Sequence, residues 1–244
     1  MAGHSKWANI KHRKALTDKK RGAAFTRITR ELMVSARLGG TDPSSNTRLR
    51  IAMNRARAAN IPRDTMERAI KKGAGELQAD SYEEILYEAY APGGVGVLTL
   101  ALTDKKSRTT PEIKSILTKY NFSMAEPGAV SRLFERKGQM IGTRAGIAED
   151  ELMELALEAG ALDLSVSGDD FEILTAPEDF SQVMEALEGK ALRIDESGVR
   201  LLPLPGTEIT VDLEKTPRIL SGIEKLEDHD DVQAVYHNLL ALDE

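Results

Sequence analysis

The chain contains no cysteine, which removes disulfide frameworks, thiolate metal sites and cysteine nucleophiles together. It also lacks any apolar run approaching the roughly 20 residues that span a bilayer. Its opening, Met1-Ala-Gly-His-Ser-Lys, runs straight into basic polar residues without the apolar core of a secretory signal. An Arg-rich start resembles a transit peptide, but its continuation into a well-patterned helix argues against cleavage. These absences predict an unexported, cytoplasmic chain with no membrane partner. Nowhere do a nucleophile, a base and an orienting group recur together, so neither an enzyme nor a small-molecule substrate is expected. No cofactor or metal is expected either.

What the chain does have is a strongly uneven charge. The 244 residues carry a formal net charge of -6, yet Met1 to Gly75 hold 18 Lys and Arg against 5 Asp and Glu, a net of +13. The remainder holds 15 against 34, a net of -19. Such a division points to a polyanionic partner for the basic end, since each cation that neutralises a phosphate releases a condensed counterion. The acidic remainder restricts which face can dock. With 41% hydrophobic and 30% charged residues, the chain can bury two or three cores and stay in solution.

Gly, Pro and capping residues punctuate the sequence. Met1 to Thr17 reads as an arm that is mobile when free. Asp18 starts a helix that runs to Leu38, with Phe25, Ile28, Leu32 and Ala36 on one stripe. A second helix places Leu49, Met53 and Ala56 inward. It also carries two arginine columns, Arg48/Arg55 and Arg50/Arg57, seven residues apart. A third begins at Pro62 and stops at Gly73-Ala-Gly. Beyond the charge reversal, strands are expected at Tyr82–Tyr90 and Val95–Leu102, joined by Ala91-Pro-Gly-Gly. A helix over Thr110–Tyr120 with Pro111 at its start follows, then a strand over Val130–Phe134. The second series predicts a strand at Gln139–Ile141, a helix over Glu149–Ala159 and strands at Leu162–Val166 and Phe171–Thr175. A helix over Pro177–Glu188 and a strand near Val199–Leu202 complete it. The tail offers a strand at Glu208–Val211, a helix over Leu213–Leu226 and a strand at Val232–Tyr236. It is too short to stand alone and is expected to complete the middle sheet. The class is α+β: a three-helix module over 1–75, a discontinuous α/β domain of 76–136 plus 206–244, and an inserted α/β domain over 137–205, both ferredoxin-like.

The candidate nucleic-acid site is drawn from the cations of the basic module. Lys6, Lys11, Arg13, Lys14, Lys19, Lys20 and Arg21 are expected to take phosphates. Arg27, Arg30, Arg48, Arg50, Arg55, Arg57, Arg63, Lys71 and Lys72 extend that surface. Acids that would form balancing i,i+4 pairs are nearly absent, so the excess charge is expected to lack an internal partner. Trp7, His4 and His12 could stack on unpaired bases; Trp7 reads equally well as an anchor onto the helices. The turn Ala59-Asn60-Ile61-Pro62 superficially resembles a helix-turn-helix. Few residues there suit base reading, however, and arginines on several faces suit shape and phosphate recognition, which favours folded RNA over DNA. Glu227-Asp-His-Asp-Asp with His237 reads as a helix end and strand edge rather than a metal or hydrolytic site. Pro92-Gly93-Gly94 lacks the Lys-Ser/Thr of a phosphate loop and fits a hairpin turn.

The opening Met1-Ala-Gly-His-Ser-Lys-Trp-Ala-Asn-Ile-Lys-His-Arg-Lys and Lys20-Arg21-Gly22 with Phe25-Thr26 strongly resemble the YebC family. So do Asn46-Thr-Arg-Leu-Arg, Ala58-Ala-Asn-Ile-Pro, Glu67-Arg-Ala-Ile-Lys, Pro92-Gly-Gly and Asp230-Asp-Val-Gln-Ala-Val-Tyr-His-Asn. The resemblance covers nearly the whole chain. It implies three domains in a bacterial cytoplasmic protein, and either of two activities: DNA-binding transcriptional regulation, or ribosome-associated translation control, as in a mitochondrial translational activator. Where relatives commonly have a Gly-Gly-Asn-Leu-Gly-like turn, this chain has Asn121-Phe-Ser-Met-Ala-Glu. A third reading is an acidic scaffold for protein partners. Nucleic acid, DNA or rRNA, with the ribosome, is the expected partner, and a monomer is the expected state.

Overall fold

The computed structural model describes residues 21–76, 82–144, 146–212 and 214–240. They fold as two compact units, one ending at Arg132 and resuming at Thr207, the other Leu133–Gly206. Among the described residues the first unit begins with three helices, α1 (Arg21–Gly39), α2 (Thr47–Ala58) and α3 (Arg63–Gly73). Their core is Leu32, Ala36, Leu49, Ala52, Ala56, Ile61, Met66 and Ala69. The expected stripe on α1 is buried only from its middle: Leu32 and Ala36 are inside, while Phe25 is 39% exposed. The arm lies outside the described residues.

Local chemistry explains the helix ends. Asn46 caps α2, its Oδ1 accepting from Leu49 N at 3.0 Å while its Nδ2 donates to the carbonyls of Ser35 and Gly40 at 2.8 Å. One buried amide therefore starts α2 and ties down the end of α1. Asn46→Ala would lose a cap and leave two carbonyls without a donor, a cost of about 2 kcal/mol. A urea midpoint unchanged from wild type would contradict that assignment. At the far end of α2, Asn60 takes φ 56, with Ile61 N–H donating to Ala56 O and Asn60 N–H to Arg57 O. That is a left-handed helix stop with a buried hydrophobe behind it.

The first sheet runs β3-β1-β2-β9. Its strands are β1 (Glu83–Ala91), β2 (Val95–Thr103), β3 (Ser123–Met124) and β9 (Val232–His237), and β9 of the tail pairs antiparallel with β2. Pro92–Gly94 turn the β1–β2 hairpin, Gly93 and Gly94 both at φ 84, which only glycine adopts freely. Helices α4 (Lys106–Lys119) and α7 (Thr216–Glu227) bury Ile113, Leu117, Ile219, Ile223 and Leu226 with the sheet residues Tyr87, Ala89, Val95 and Val97. A short parallel pair, β8 (Ile209–Thr210) and β10 (Leu239–Leu240), completes the unit.

The second unit runs β4 (Phe134–Thr143), α5 (Glu149–Glu158), β5 (Ala161–Ser167), β6 (Asp170–Thr175), α6 (Phe180–Leu187) and β7 (Arg193–Pro203). Its order, β5-β6-β4-β7, is that of a ferredoxin-like βαββαβ sheet. The first sheet has the same order with one permutation: the strand that would come third is supplied first, as β1.

Three expectations need correction. Helix α4 begins at Lys106 rather than Thr110, so Pro111 lies inside it; Thr109, which donates to the buried Asp231 at 2.6 Å, holds the extra turn that propensity alone disfavours. The strand expected over Val130–Phe134 starts only at Phe134, and Ser131–Leu133 form a 3-10 turn. There the backbone N–H groups of Gly128, Val130 and Ser131 donate to the Glu88 carboxylate at 2.6 to 2.9 Å. Burial would raise the Glu88 pKa, but those three donors hold it below its ordinary value. β4 is far longer than Gln139–Ile141 because it pairs with both β6 and β7.

Candidate nucleic-acid interface

The basic module does not leave its arginines uniformly free. The Arg48 guanidinium on α2 bonds Glu31 of α1 at 2.7 and 3.2 Å and Glu84 of β1 at 2.6 Å. Burial alone would lower its pKa; the two carboxylates raise it above the ordinary value. Arg30 of α1 donates to Asp231 Oδ1 at 3.0 Å and to the Asp230 carbonyl. It also lies 5.6 Å from the Tyr82 ring centre. Arg27, one turn earlier, donates to the carbonyls of Glu227 and His229, where the dipole of α7 ends and favours a cation. Burial nevertheless lowers the Arg27 pKa despite the attraction of Glu227, Asp228 and Asp230.

Asp231 is the meeting point. It is 2% exposed and accepts from Thr109 at 2.6 Å, from Arg108 at 2.9 Å and from Arg30 at 3.0 Å. Burial raises its pKa, but the Thr109 hydroxyl and the two arginines outweigh that and keep it below the usual carboxylate range. Nearby, the Asp231 N–H donates to His229 Nδ1 at 3.1 Å, and His229 Nε2 sits 3.0 Å from Glu112. The acidic run near residue 230 thus acts as a clasp for α1 and α4.

The expectation that the excess charge lacks internal partners is therefore corrected for Arg27, Arg30 and Arg48. It is corrected also for Arg63, whose Nε bonds Glu67 at 2.8 Å across one helical turn, although Arg63 is largely exposed. Arg50, half-buried, and exposed Arg57 lie on the flank of α2 opposite Arg48, about 200° round the helix. Among the described residues Arg57 bonds the neutral Asn54, at 2.9 Å, and no carboxylate. Exposed Arg55 shares the last turn of α2 with Arg57, and Lys71 and Lys72 are exposed in the last turn of α3. Arg68, also exposed, was missed by the sequence reading; its step of three and four residues to Lys71 and Lys72 is the signal that could have found it. Among the described residues Arg50, Arg68, Lys71 and Lys72 form no ion pair. Arg21 opens α1. Lys6, Trp7, Lys11, His12, Arg13, Lys14, Lys19 and Lys20 lie outside the described residues.

Residues 5–76 match the family described as TACO1/YebC protein N-terminal domain, and residues 82–239 match TACO1/YebC second and third domain. The chain belongs to the TACO1/YebC family. A relative from Leptospira biflexa is 51% identical over 98% of this chain and 96% of its own length. One from Carboxydothermus hydrogenoformans is 48% identical over the whole of both chains. Each is named a probable transcriptional regulatory protein. The crystal structure of a conserved hypothetical protein from Aquifex aeolicus superposes with a TM-score of 0.81 at 40% identity, covering 92% of each chain. The fold of this family is thus the α+β arrangement described above. No helix among the described residues is long and apolar enough to cross a membrane.

Proposed function

We propose that this protein is a non-enzymatic regulator of gene expression in the bacterial cytoplasm, binding nucleic acid through residues 1–75. Domains 76–136 plus 206–244 and 137–205 are carried on that basic module. The observation that carries the reading is the charge division: a net of +13 on 75 residues, with Arg50, Arg68, Lys71 and Lys72 left without carboxylate partners among the described residues. Arg57, Arg55, Arg63 and the cations of residues 6–21 extend this surface, while Arg27, Arg30 and Arg48 serve it from behind by fixing the helices. The relatives' names support a regulatory role. Cations spread over several helical faces, rather than one reading helix, favour folded RNA and the ribosome over promoter DNA. The protein acts as a monomer in this reading.

The test is cross-linking in cells with sequencing of bound RNA and bound DNA, comparing wild type with a chain lacking residues 1–17. Recovery of one rRNA region, lost with the deletion, is expected; discrete promoter peaks without rRNA enrichment would replace RNA by DNA. In solution, Arg50→Gln with Arg57→Gln should lower the slope of log affinity against log salt by about 2, because two phosphate contacts vanish. Arg48→Gln should destabilise the helices without a comparable change in slope. The reverse pattern would move the interface to the Arg48 flank.

A further inference from the structure

The acidic two-thirds of the chain holds a basic island, its most basic stretch. Residues 105–119 contain Lys105, Lys106, Arg108, Lys114 and Lys119 against Glu112 alone, whereas the rest from 76 onward holds 10 Lys and Arg against 33 Asp and Glu. This island is almost entirely α4, and all five cations are exposed. Arg108 is spent on Asp104 and Asp231; the four lysines pair with no carboxylate among the described residues. Thr109, Ile113 and Leu117 face the core. The outward face between the cations presents the hydroxyls of Ser107 and Ser115, a side-chain type that donates to phosphate oxygens, while the Thr118 hydroxyl donates to the Lys114 carbonyl at 2.9 Å. Beside the end of α4, exposed Arg218 of α7 donates to the Lys119 carbonyl at 3.4 Å, bringing a further cation to the same edge.

We propose that α4 is a second phosphate-binding surface, taking the backbone of the same nucleic acid that the helical module grips. The inference rests on the function proposed above and extends its footprint to a domain whose overall charge argues against binding. Geometry favours one continuous partner: Asp231 bonds Arg30 of α1 through one oxygen and Arg108 of α4 through the other. The basic module and α4 are thereby held in one body by a buried carboxylate. From Lys106 to Lys119 the helix extends about 20 Å, the axial length of about six base pairs. The acidic surroundings confine contact to this strip.

The full chain carrying Lys106→Gln, Lys114→Gln and Lys119→Gln tests the idea, since glutamine keeps helix propensity and removes only charge. The probes are a structured RNA hairpin and a DNA duplex of equal length, titrated across salt concentrations. The salt slope is expected to fall by about 3 and affinity at 0.1 M salt by on the order of 100-fold, with far-UV circular dichroism unchanged. Lys190→Gln, on the second unit, is the control and should change neither. An unchanged slope in the triple variant, while Arg50→Gln with Arg57→Gln still weakens binding, overturns the second surface and leaves the first. Loss of cellular function with nucleic-acid affinity intact also overturns it, in favour of an acidic protein partner for α4. If the wild type binds neither probe in a salt-dependent way, both readings fall together.

Discussion

Replacing Asp231 by alanine is expected to destabilise the first unit by about 3 to 5 kcal/mol, the range for removing one partner from a buried, hydrogen-bonded charge set. The carboxylate satisfies Thr109, Arg108 and Arg30 at once, and its backbone carbonyl accepts from Leu102 N–H at 2.7 Å. Only the side-chain contacts are lost in the variant. Arg30, whose side chain is 14% exposed, would keep its charge with one anion fewer, and the helical module would lose a tie to the sheet. Asp231→Asn separates charge from shape. The pKa of Asp231 is depressed in the fold, so its charge contributes stability above the unfolded value of about 3.9, and that contribution disappears as pH falls through the lower folded value. The gap between wild type and Asp231→Asn in urea midpoint should therefore be full at pH 7 and close in strong acid. A gap that persists undiminished well below pH 3 would mean that packing, not charge, carries the effect.

This clasp was not legible in the sequence, whereas most of the fold was. Helix ends and the hairpin are written locally, in Asn46, Pro62, Gly73-Ala-Gly75 and Pro92-Gly-Gly, and periodicity separates core from surface wherever an element has only one buried face. Longer-range chemistry escapes such reading. Arg48 meets Glu31 and Glu84 at separations of 17 and 36 residues, and Arg30 meets Asp231 across 201; no local pattern marks these partners. The early start of α4 has the same origin, because Thr109 is held by a residue 122 positions away. The run Glu227-Asp-His-Asp-Asp reads locally as a helix end and strand edge; its use as an anion for arginines depends on the fold.

The same partners resolve how an acidic chain can keep a module with a strongly cationic surface. Acids near residue 230 neutralise Arg27 and Arg30 on the inner side of α1, and Glu31 and Glu84 neutralise Arg48, so unpaired cations remain on other flanks. Their field is not cancelled at short range, since screening over about 8 to 10 Å at physiological salt weakens the distant carboxylates. Sequence composition counts all these charges alike; pairing decides which of them face a partner.

The turn at Asn121 closes α4 with a left-handed residue. Asn121 sits at φ 63; Phe122 N–H donates to Leu117 O and Asn121 N–H to Thr118 O, with Phe122 buried behind them. This is the same helix stop that Asn60 makes, and asparagine is the residue after glycine that best tolerates it. Gly222 then lets α7 approach closely, because a Cβ there would stand 2.7 Å from the Phe122 ring and 3.0 Å from Tyr120 Cβ.

Gly73 poses the sharper steric case. It is the last residue of α3, where its φ lies outside the left-handed region, so helix propensity alone would make Gly73→Ala stabilising by about 1 kcal/mol. A Cβ at that position, however, would lie 2.0 Å from the Met33 carbonyl oxygen and 2.8 Å from its carbon, both backbone atoms of α1. Neither can rotate away. The two helices would have to separate by about 1 Å, loosening the contacts among Leu32, Met66 and Ala69 that close the helical core, and overpacking of this kind costs about 1 to 3 kcal/mol or more. With backbone atoms that cannot rotate away, the steric term falls at the top of that range and exceeds the propensity gain, so Gly73→Ala is expected to lower stability by about 2 kcal/mol net. Gly75→Ala is the matched control: it has φ 81 with nothing within 4 Å of the added carbon, so only the left-handed backbone cost of about 1 to 2 kcal/mol applies. Urea unfolding followed by far-UV circular dichroism reads the loss in each variant. If Gly73→Ala proved as stable as wild type, α1 and α3 would not approach at that residue, and the rigid backing assumed for the basic surface would be lost with it.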